Sequence, residues 1–297
     1  MTRRGEWAET MPTECAQDGP LVSVVIPTFN RADLLRRALR SVAAQTYRNL
    51  EVLVADDGST EDIAAVVAQI GDERVRHVRL PHAGSAGGAR NGVMPLVRGE
   101  YCAFLDSDDE WEPEKIARQT AVLRQKPDVV LAWTNAKLAI GDAPSHRLYF
   151  SAPIRLPDDP IPLLLKLNPV IISMSIGKTE TLRRAGPFSE TLRVMADYDM
   201  WMRVLSAGRG YYDPWPGGTY HRYPGNLSDV DLLSDAKERL AVLKNFARWT
   251  NNAGHRRPAE RYILAETARL LFHAVRGRRW DVARKALFQT DEDALNW

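Results

Sequence analysis

The chain carries two cysteines, Cys15 and Cys102, among 297 residues. One stands in a polar leader and the other in an apolar run, which excludes a disulfide framework and suits a reducing compartment. Long hydrophobic runs are missing as well. A membrane-spanning helix needs about 18 uninterrupted apolar residues. The nearest approach, residues 161–176, is broken by Pro162, Lys166, Asn168 and Pro169 and reads as a buried helix followed by a strand. Met1 to Trp7 has two arginines with no apolar stretch behind them, so no signal peptide is expected. No excess of one charge exists either: 40 Lys and Arg against 38 Asp and Glu leave a net +2. A nucleic-acid partner would ask for a larger basic surplus. The sequence also lacks two glycine-rich phosphate signatures. Pro27-Thr28-Phe29-Asn30 stands where a dinucleotide fold would place G-x-G-x-x-G, and no Gly-Lys-Ser/Thr follows the loop Gly84 to Asn91. These absences leave a cytoplasmic chain, soluble or peripheral to a membrane, long enough to bury roughly 75% of its unfolded surface.

What is present alternates. Val22 to Ile26 reads as a buried strand ended by Pro27. A helix follows, with Asn30 as N-cap and Leu34, Leu35, Ala38, Leu39 and Val42 on one face. Glu51 to Ala55 is a second strand, and Ser59 or Thr60 caps a helix carrying Ile63, Val66, Val67 and Ile70. Val75 to Leu80, Tyr101 to Leu105 and Val129 to Trp133 read as further strands, separated by helices over Gly84 to Val97 and Pro113 to about Gln125. The expected fold is α/β, a mostly parallel sheet flanked by helices, whose ligands bind beyond the carboxyl ends of the strands. From Trp133 to Pro169 the pattern is irregular. A strand over Val170 to Ile176 and helices from Thr179 and over Asp197 to Ser206 come next. A helical extension follows from Asp231, with Leu232, Ala236, Leu240 and Leu243 on one face, then Leu264, Ala268, Leu271 and Val275 on another.

Acidic residues gather where strands end: Asp56-Asp57, Asp106-Ser107-Asp108-Asp109, and Asp197 within Ala196-Asp197-Tyr198-Asp199. Carboxylates repel, so a fold collects them when a cation or a general-base role compensates. Asp106 and Asp108, one residue apart after a buried strand, can turn together onto a divalent ion and a diphosphate. A solvated turn is the competing reading, since Asp and Ser both favour turns. Asp57 can accept from a pyrimidine imide N–H. Arg90 can meet base, ribose or phosphate from a helix whose positive end faces anions. Asp197 and Asp199 open a helix, where the dipole favours carboxylates in any case. His221 falls in what reads as a loop, Tyr220 to Asn226.

Taken together, Val22 to Arg31, Gln45 to Glu51, Asp56 to Thr60, Gly87 to Asn91 and Phe104 to Asp109 closely resemble the family 2 glycosyltransferases of the GT-A fold, a Rossmann-like sheet. The resemblance runs in order from about Leu21 to Trp133 and more loosely to Ser228. It implies an inverting, nonprocessive transfer from a nucleotide-diphosphate sugar, a UDP-sugar first, to a hydroxyl of a glycan or lipid-linked acceptor. Pro27, Thr28, Phe29, Asn30, Asp57, Arg90, Asp106 and Ser107 would line the nucleotide site, with Asp57 at the base and Asp106 near the ribose. Asp108 would coordinate Mn2+ or Mg2+, with Asp106 and His221 as further candidates, and Asp197 would be the catalytic base. Members often have Glu where Ala196 stands, and Tyr-Arg-x-His where this chain has Tyr220-His221-Arg222-Tyr223. The single-sugar reading follows from the missing Gln-x-x-Arg-Trp motif of processive synthases.

The implied organisation is a leader over 1–20, a glycosyltransferase domain over 21–228 with a nucleotide half (21–133) and an acceptor half (134–228), and a helical extension over 229–297. Between Lys244 and Lys285 the extension has eleven Lys and Arg against three Asp and Glu. Such a surface attracts anionic membranes by about 1 kcal/mol per cation near the surface. A helical cap with a solvated face is the competing reading. Two other functions remain open at this point: a nucleotidyltransferase, and a catalytically silent sugar-nucleotide-binding protein.

Overall fold

Strand β1 (Val22–Thr28) is buried along its whole length, yet it alternates in what it touches. Val22, Val24 and Ile26 pack in one core cluster and Val25 in another. A strand covered by helices on both faces shows no polar alternation in sequence, because both of its faces are interior. The computed structural model describes residues 19–280 and 282, apart from 142, 144–146, 153 and 224–230. The leader before Gly19 with Cys15, the end of the loop after Tyr223, and the boundary at 228 lie outside the described residues.

Around β1 the first half winds as expected. Helix α1 (Ala32–Ala43) leads to β2 (Leu50–Asp56), α2 (Ile63–Ile70) to β3 (Val75–Arg79), and α3 (Ala86–Val93) to β4 (Tyr101–Phe104). All four strands are parallel, in the order β3-β2-β1-β4. Two caps differ from expectation. Arg31, not Asn30, is the N-cap of α1, and Asp62, not Ser59 or Thr60, caps α2 by accepting from Ala65 N. Asn30 sits at φ 50° and accepts from Thr60 N at 2.7 Å, so its carboxamide ties the two strand-to-helix turns together.

The second half departs further. A two-residue β5 (Glu110–Trp111) precedes α4 (Lys115–Gln125), and β6 (Val129–Ile140) runs seven residues beyond Trp133. The irregular stretch includes the one-turn α5 (Ile161–Leu164). A short 3₁₀ turn over Ile172–Met174 occupies most of the expected strand, and β7 (Ser175–Lys178) begins only after it. β7 inserts antiparallel between β4 and β6. Helices α6 (Thr179–Ala185) and α7 (Ala196–Leu205) follow, then β8 (Arg209–Arg222), a 14-residue strand parallel to β6. Strand β8 was not legible because Pro214, Pro216, Gly217 and Gly218 interrupt it. Bulges absorb them where its register with β6 shifts. The full sheet reads β3-β2-β1-β4-β7-β6-β8-β5. Two strands, β5 and β7, run against the other six.

The chain then turns helical, α8 (Leu232–Trp249) capped by Asp231 and α9 (Ala253–Arg276) capped by Asn252. On α8 the expected face is buried at Ala236, Leu240 and Leu243, while Leu232 is exposed. On α9 only Leu271 of the expected face packs inward, against the cluster of Leu240, Leu270 and Ala274. Ala259, Leu270 and Ala274 are buried, whereas Leu264, Phe272 and Val275 are exposed at 72%, 60% and 46%. None of the described helices is long and apolar enough to cross a membrane.

Candidate active site

Beyond the carboxyl ends of β1, β2 and β4 opens a cavity of about 750 Å³. Of the residues singled out in the sequence, Pro27, Thr28, Phe29, Asp57, Arg90, Asp106, Ser107, Asp108, Asp197 and His221 line it. Asn30 is not among the lining residues, because its side chain is spent on the turn at Thr60.

At one end the Asp57 carboxylate organises the loop opposite. Oδ1 accepts from Ala83 N at 2.6 Å and Oδ2 from Gly84 N at 3.0 Å. His82 Nδ1 lies 2.8 Å from Asp57 O, and its ring stacks on Phe29 at 4.4 Å between centroids. Sequence reasoning missed His82, which has no motif to mark it. Gly58, at φ 76°, lets the chain turn away directly after the acidic pair. Its neighbour Asp56 points elsewhere: Ser59 N and His77 Nε2 hold it at 2.8 Å each. Thr28 Oγ1 is buried with no partner among the described residues.

The floor is acidic. Carboxylate oxygens of Asp106, Asp108 and Asp109 lie within 4.8 Å of one another. Burial, then the Asp106 charge, pushes the Asp108 carboxyl up, against the pull of Arg31 at 2.8 Å. Asp109 is held well above the carboxylate range by its burial and by Asp108 and Asp106. It accepts from Ser173 Oγ and from His221 N. Such crowding is what a hard divalent cation relieves, and three carboxylates are a suitable donor set for Mg2+ or Mn2+. Asp109, the last of the acidic run after β4 and not singled out as a ligand in the sequence, joins Asp106 and Asp108 in that set. His221 does not. It is buried near the end of β8 rather than in a loop, with Nδ1 2.8 Å from Gly141 O and Nε2 2.8 Å from Glu110 Oε1. Both ring nitrogens thus meet oxygens outside the set of Asp106, Asp108 and Asp109.

Helix α3 supplies Arg90, buried, with Nη2 on Asp106 and its guanidinium 5.4 Å from the Phe188 ring centroid. The helix can come this close because Gly87 carries no side chain: a Cβ there would meet Ser189 O at 2.8 Å. Asn91 pins the same loop, donating to Phe188 O at 2.9 Å and accepting from Phe188 N at 2.8 Å.

Asp197 lines the same cavity. It is the second residue of α7, a helix start and not a strand end. Its carboxyl opens onto the cavity while protein surrounds the rest, and that burial pushes it up to about 6, against the attraction of Arg90. Asn168 hydrogen-bonds it from the loop after α5. Asp199, one turn position away, serves the fold instead: it accepts from Arg203 at 2.7 Å and from Asn245 at 3.2 Å. Tyr149, Lys166, Arg193, Asp235 and Arg239 complete this side of the cavity. The last two come from α8, so the extension forms part of the wall.

A model of the family described as glycosyl transferase family 2 matches residues 23–184. An uncharacterized glycosyltransferase of Rickettsia typhi is 32% identical over 200 residues, covering 65% of this chain and 61% of that protein. The chain thus spans less than two thirds of that relative. Among solved structures, Staphylococcus aureus TarS 1–349 in complex with UDP-GlcNAc is similar with TM-score 0.66 at 19% identity, over 92% of this chain and 77% of that one. Mannosyltransferase PcManGT from Pyrobaculum calidifontis, in complex with GDP-Man and Mn2+, is similar at 0.64 and 19%, over 92% and 82%. These two likenesses show the fold.

Proposed function

The chain belongs to glycosyl transferase family 2, and from that premise we propose that it moves a sugar from a nucleoside diphosphate donor to an acceptor hydroxyl with inversion. The observation that carries this reading is the placement of Asp197 across one cavity from Asp106 and Asp108. The nucleotide lies at the Phe29–His82–Asp57 end. Asp57 keeps lone pairs beyond those given to Ala83 and Gly84, enough for a uracil imide N–H, and the unpartnered Thr28 Oγ1 adds a further polar contact. The UDP-GlcNAc complex of TarS supports a UDP-sugar as donor.

Asp106, Asp108 and Asp109 would hold a divalent cation, an assignment the Mn2+ complex of PcManGT supports. When bound, such an ion supplies Lewis-acid stabilisation to negative charge on a departing diphosphate. Arg31 and Arg90 already neutralise Asp108 and Asp106, and they contribute positive charge on that same side.

On the other side Asp197 takes the proton of the incoming hydroxyl. Sugar hydroxyls are weak acids, and a carboxyl raised to about 6 is a better proton acceptor than an ordinary one while still ionised at neutral pH. Attack from the face opposite the leaving group inverts the anomeric centre. The acceptor is a glycan or lipid-linked sugar, and nonprocessive single transfer is in keeping with the missing Gln-x-x-Arg-Trp motif. The same division is proposed, a transferase domain over 21–228 and an extension from 229, with Asp235 and Arg239 of the extension contributing to the acceptor wall.

The exposed row Leu264, Ala268, Phe272 and Val275 on α9, flanked by Arg257, Arg261 and Arg276, supports peripheral attachment to an anionic lipid surface. A thermal-shift and hydrolysis panel of UDP-, dTDP- and GDP-sugars with and without Mn2+ tests the donor reading. Metal-dependent stabilisation and slow hydrolysis by one UDP-sugar are expected; no response to any donor rejects it.

A further inference from the structure

The cations lining the cavity fall into two groups. Arg31 is paired with Asp108, Arg90 with Asp106 and Arg239 with Glu266. Lys166 and Arg193 also line the cavity, are exposed, and have no carboxylate or other side-chain partner among the described residues.

Their backbones, by contrast, are held firmly, and by consecutive residues of one helix. Glu238 on α8 accepts from Arg193 N at 3.2 Å, Val194 N at 2.9 Å and Met195 N at 2.8 Å. Arg239, the next residue, donates to Leu165 O at 2.9 Å and Lys166 O at 2.8 Å. One turn of α8 therefore sets the two cation-bearing segments side by side. Both segments run to the proposed base: Asn168, just after Lys166, hydrogen-bonds Asp197, and Arg193 precedes α7, whose second residue is Asp197. Two cations carried on adjacent segments, with no counter-ion of their own, are suited to share one anion.

Resting on the transfer reading above, we propose that Lys166 and Arg193 form a subsite for a phosphate or diphosphate ester carried by the acceptor. The donor's own phosphates belong at the other end, where Asp106, Asp108, Arg31 and Arg90 converge. A phosphate dianion neutralises both cations at once, and the arginine fork suits its paired oxygens. The two negative charges are the same whether a diphosphate joins the sugar to a lipid or a monophosphate caps a water-soluble glycan.

Isothermal titration of the full chain, with and without saturating UDP and Mn2+, tests the subsite with four probes. These are α-D-glucose 1-phosphate, α-D-glucose 1-(decyl diphosphate), methyl α-D-glucoside and D-glucuronate. The two phosphates are expected to bind and the glucoside and the glucuronate to bind far more weakly. Tighter binding of the decyl ester points to a lipid-linked acceptor and equal binding to a soluble one, each in keeping with the subsite. In Lys166→Ala/Arg193→Ala, affinity for glucose 1-phosphate falls on the order of tenfold to a hundredfold while UDP affinity holds. Should that double variant fail to fold by circular dichroism, Lys166→Gln and Arg193→Gln carry the same comparison singly. Unchanged phosphate affinity in the variant overturns the subsite. So does preference for glucuronate, or a parallel loss of UDP affinity, which would assign the cations to the donor. Failure of the wild type to bind UDP counts against the donor reading alone, because the phosphate arm is also run without it.

Discussion

The two sides of the cavity are built by different means. On the nucleotide side, the hydroxyl and acidic lining residues lie at or just past a parallel strand end, Thr28 ending β1, Asp57 after β2 and Asp106 after β4, with Arg90 added from α3. Parallel topology alone delivers them to one edge. On the acceptor side, Tyr149, Asn168, Arg193 with Asp197, and Arg239 come from four separate stretches joined by no common strand direction. They meet through tertiary hydrogen bonds, chiefly those of Glu238 and Arg239. One side is assembled by chain direction, the other by contacts from a helix some forty residues downstream. A site of the second kind is easier to retune without disturbing the first.

The sharpest way to break that division is Asp197→Asn. It should lower the transfer rate by about 10²–10⁴ while calorimetric nucleotide affinity with metal stays near wild type. Near-normal turnover would remove the base from the acceptor side. The wild type adds a pH test. Because burial raises Asp197 to about 6, its charged form is the costly one in the folded state. Its contribution to stability is therefore present at low pH and is lost as pH rises through about 6. Activity runs the opposite way: kcat/KM should fall about tenfold per unit below that pH as the base is protonated.

A smaller effect is expected from Asp108→Ala on the opposite side. Metal-dependent nucleotide affinity should drop on the order of tenfold or more, read by calorimetry with and without Mn2+. Nucleotide affinity insensitive to this change would separate the acidic cluster from donor binding.

Glu238→Ala addresses the bridge itself. Three N–H groups lose their acceptor, so a loss of about 1–3 kcal/mol is expected by chemical denaturation. The transfer rate should drop more than UDP affinity, and Glu238→Gln should restore part of it. Equal losses in both would make α8 a general cap rather than a support for the acceptor side.

The mildest change should come from Leu264→Asp/Phe272→Asp on α9. Flotation with anionic liposomes should be lost while stability and transfer to a soluble acceptor hold within roughly twofold, since surface changes usually stay within about 0.5 kcal/mol. Undiminished, salt-insensitive flotation would locate any lipid contact elsewhere.

Legibility followed the same divide. The strands β1, β2 and β4 and the acidic turns after β2 and β4 stand out in the sequence because both sheet faces are covered, so each strand is a short, largely apolar run, whereas the edge strand β3 mixes valine with Arg and His. Caps were misassigned where a side chain had a distant use: Asn30 looks like an N-cap until the turn at Thr60 claims it. Strand β8 hid behind its prolines and glycines, and His221 with it. The buried face of α9 was mistaken because Ala259, Glu266, Leu270 and Ala274 make a narrow, partly polar contact with its neighbour, while the larger apolar residues point outward.

By itself the order of residues determined that this is an α/β protein with acidic strand ends, because burial and backbone geometry act locally on each strand and turn. Only the folded chain decided that His221 faces Gly141 and Glu110, that Asp109 joins Asp106 and Asp108, and that a late helix steadies the segment leading to Asp197. Those outcomes depend on hydrogen bonds between residues far apart along the chain, and the spacing of letters in one stretch carries no record of a partner in another.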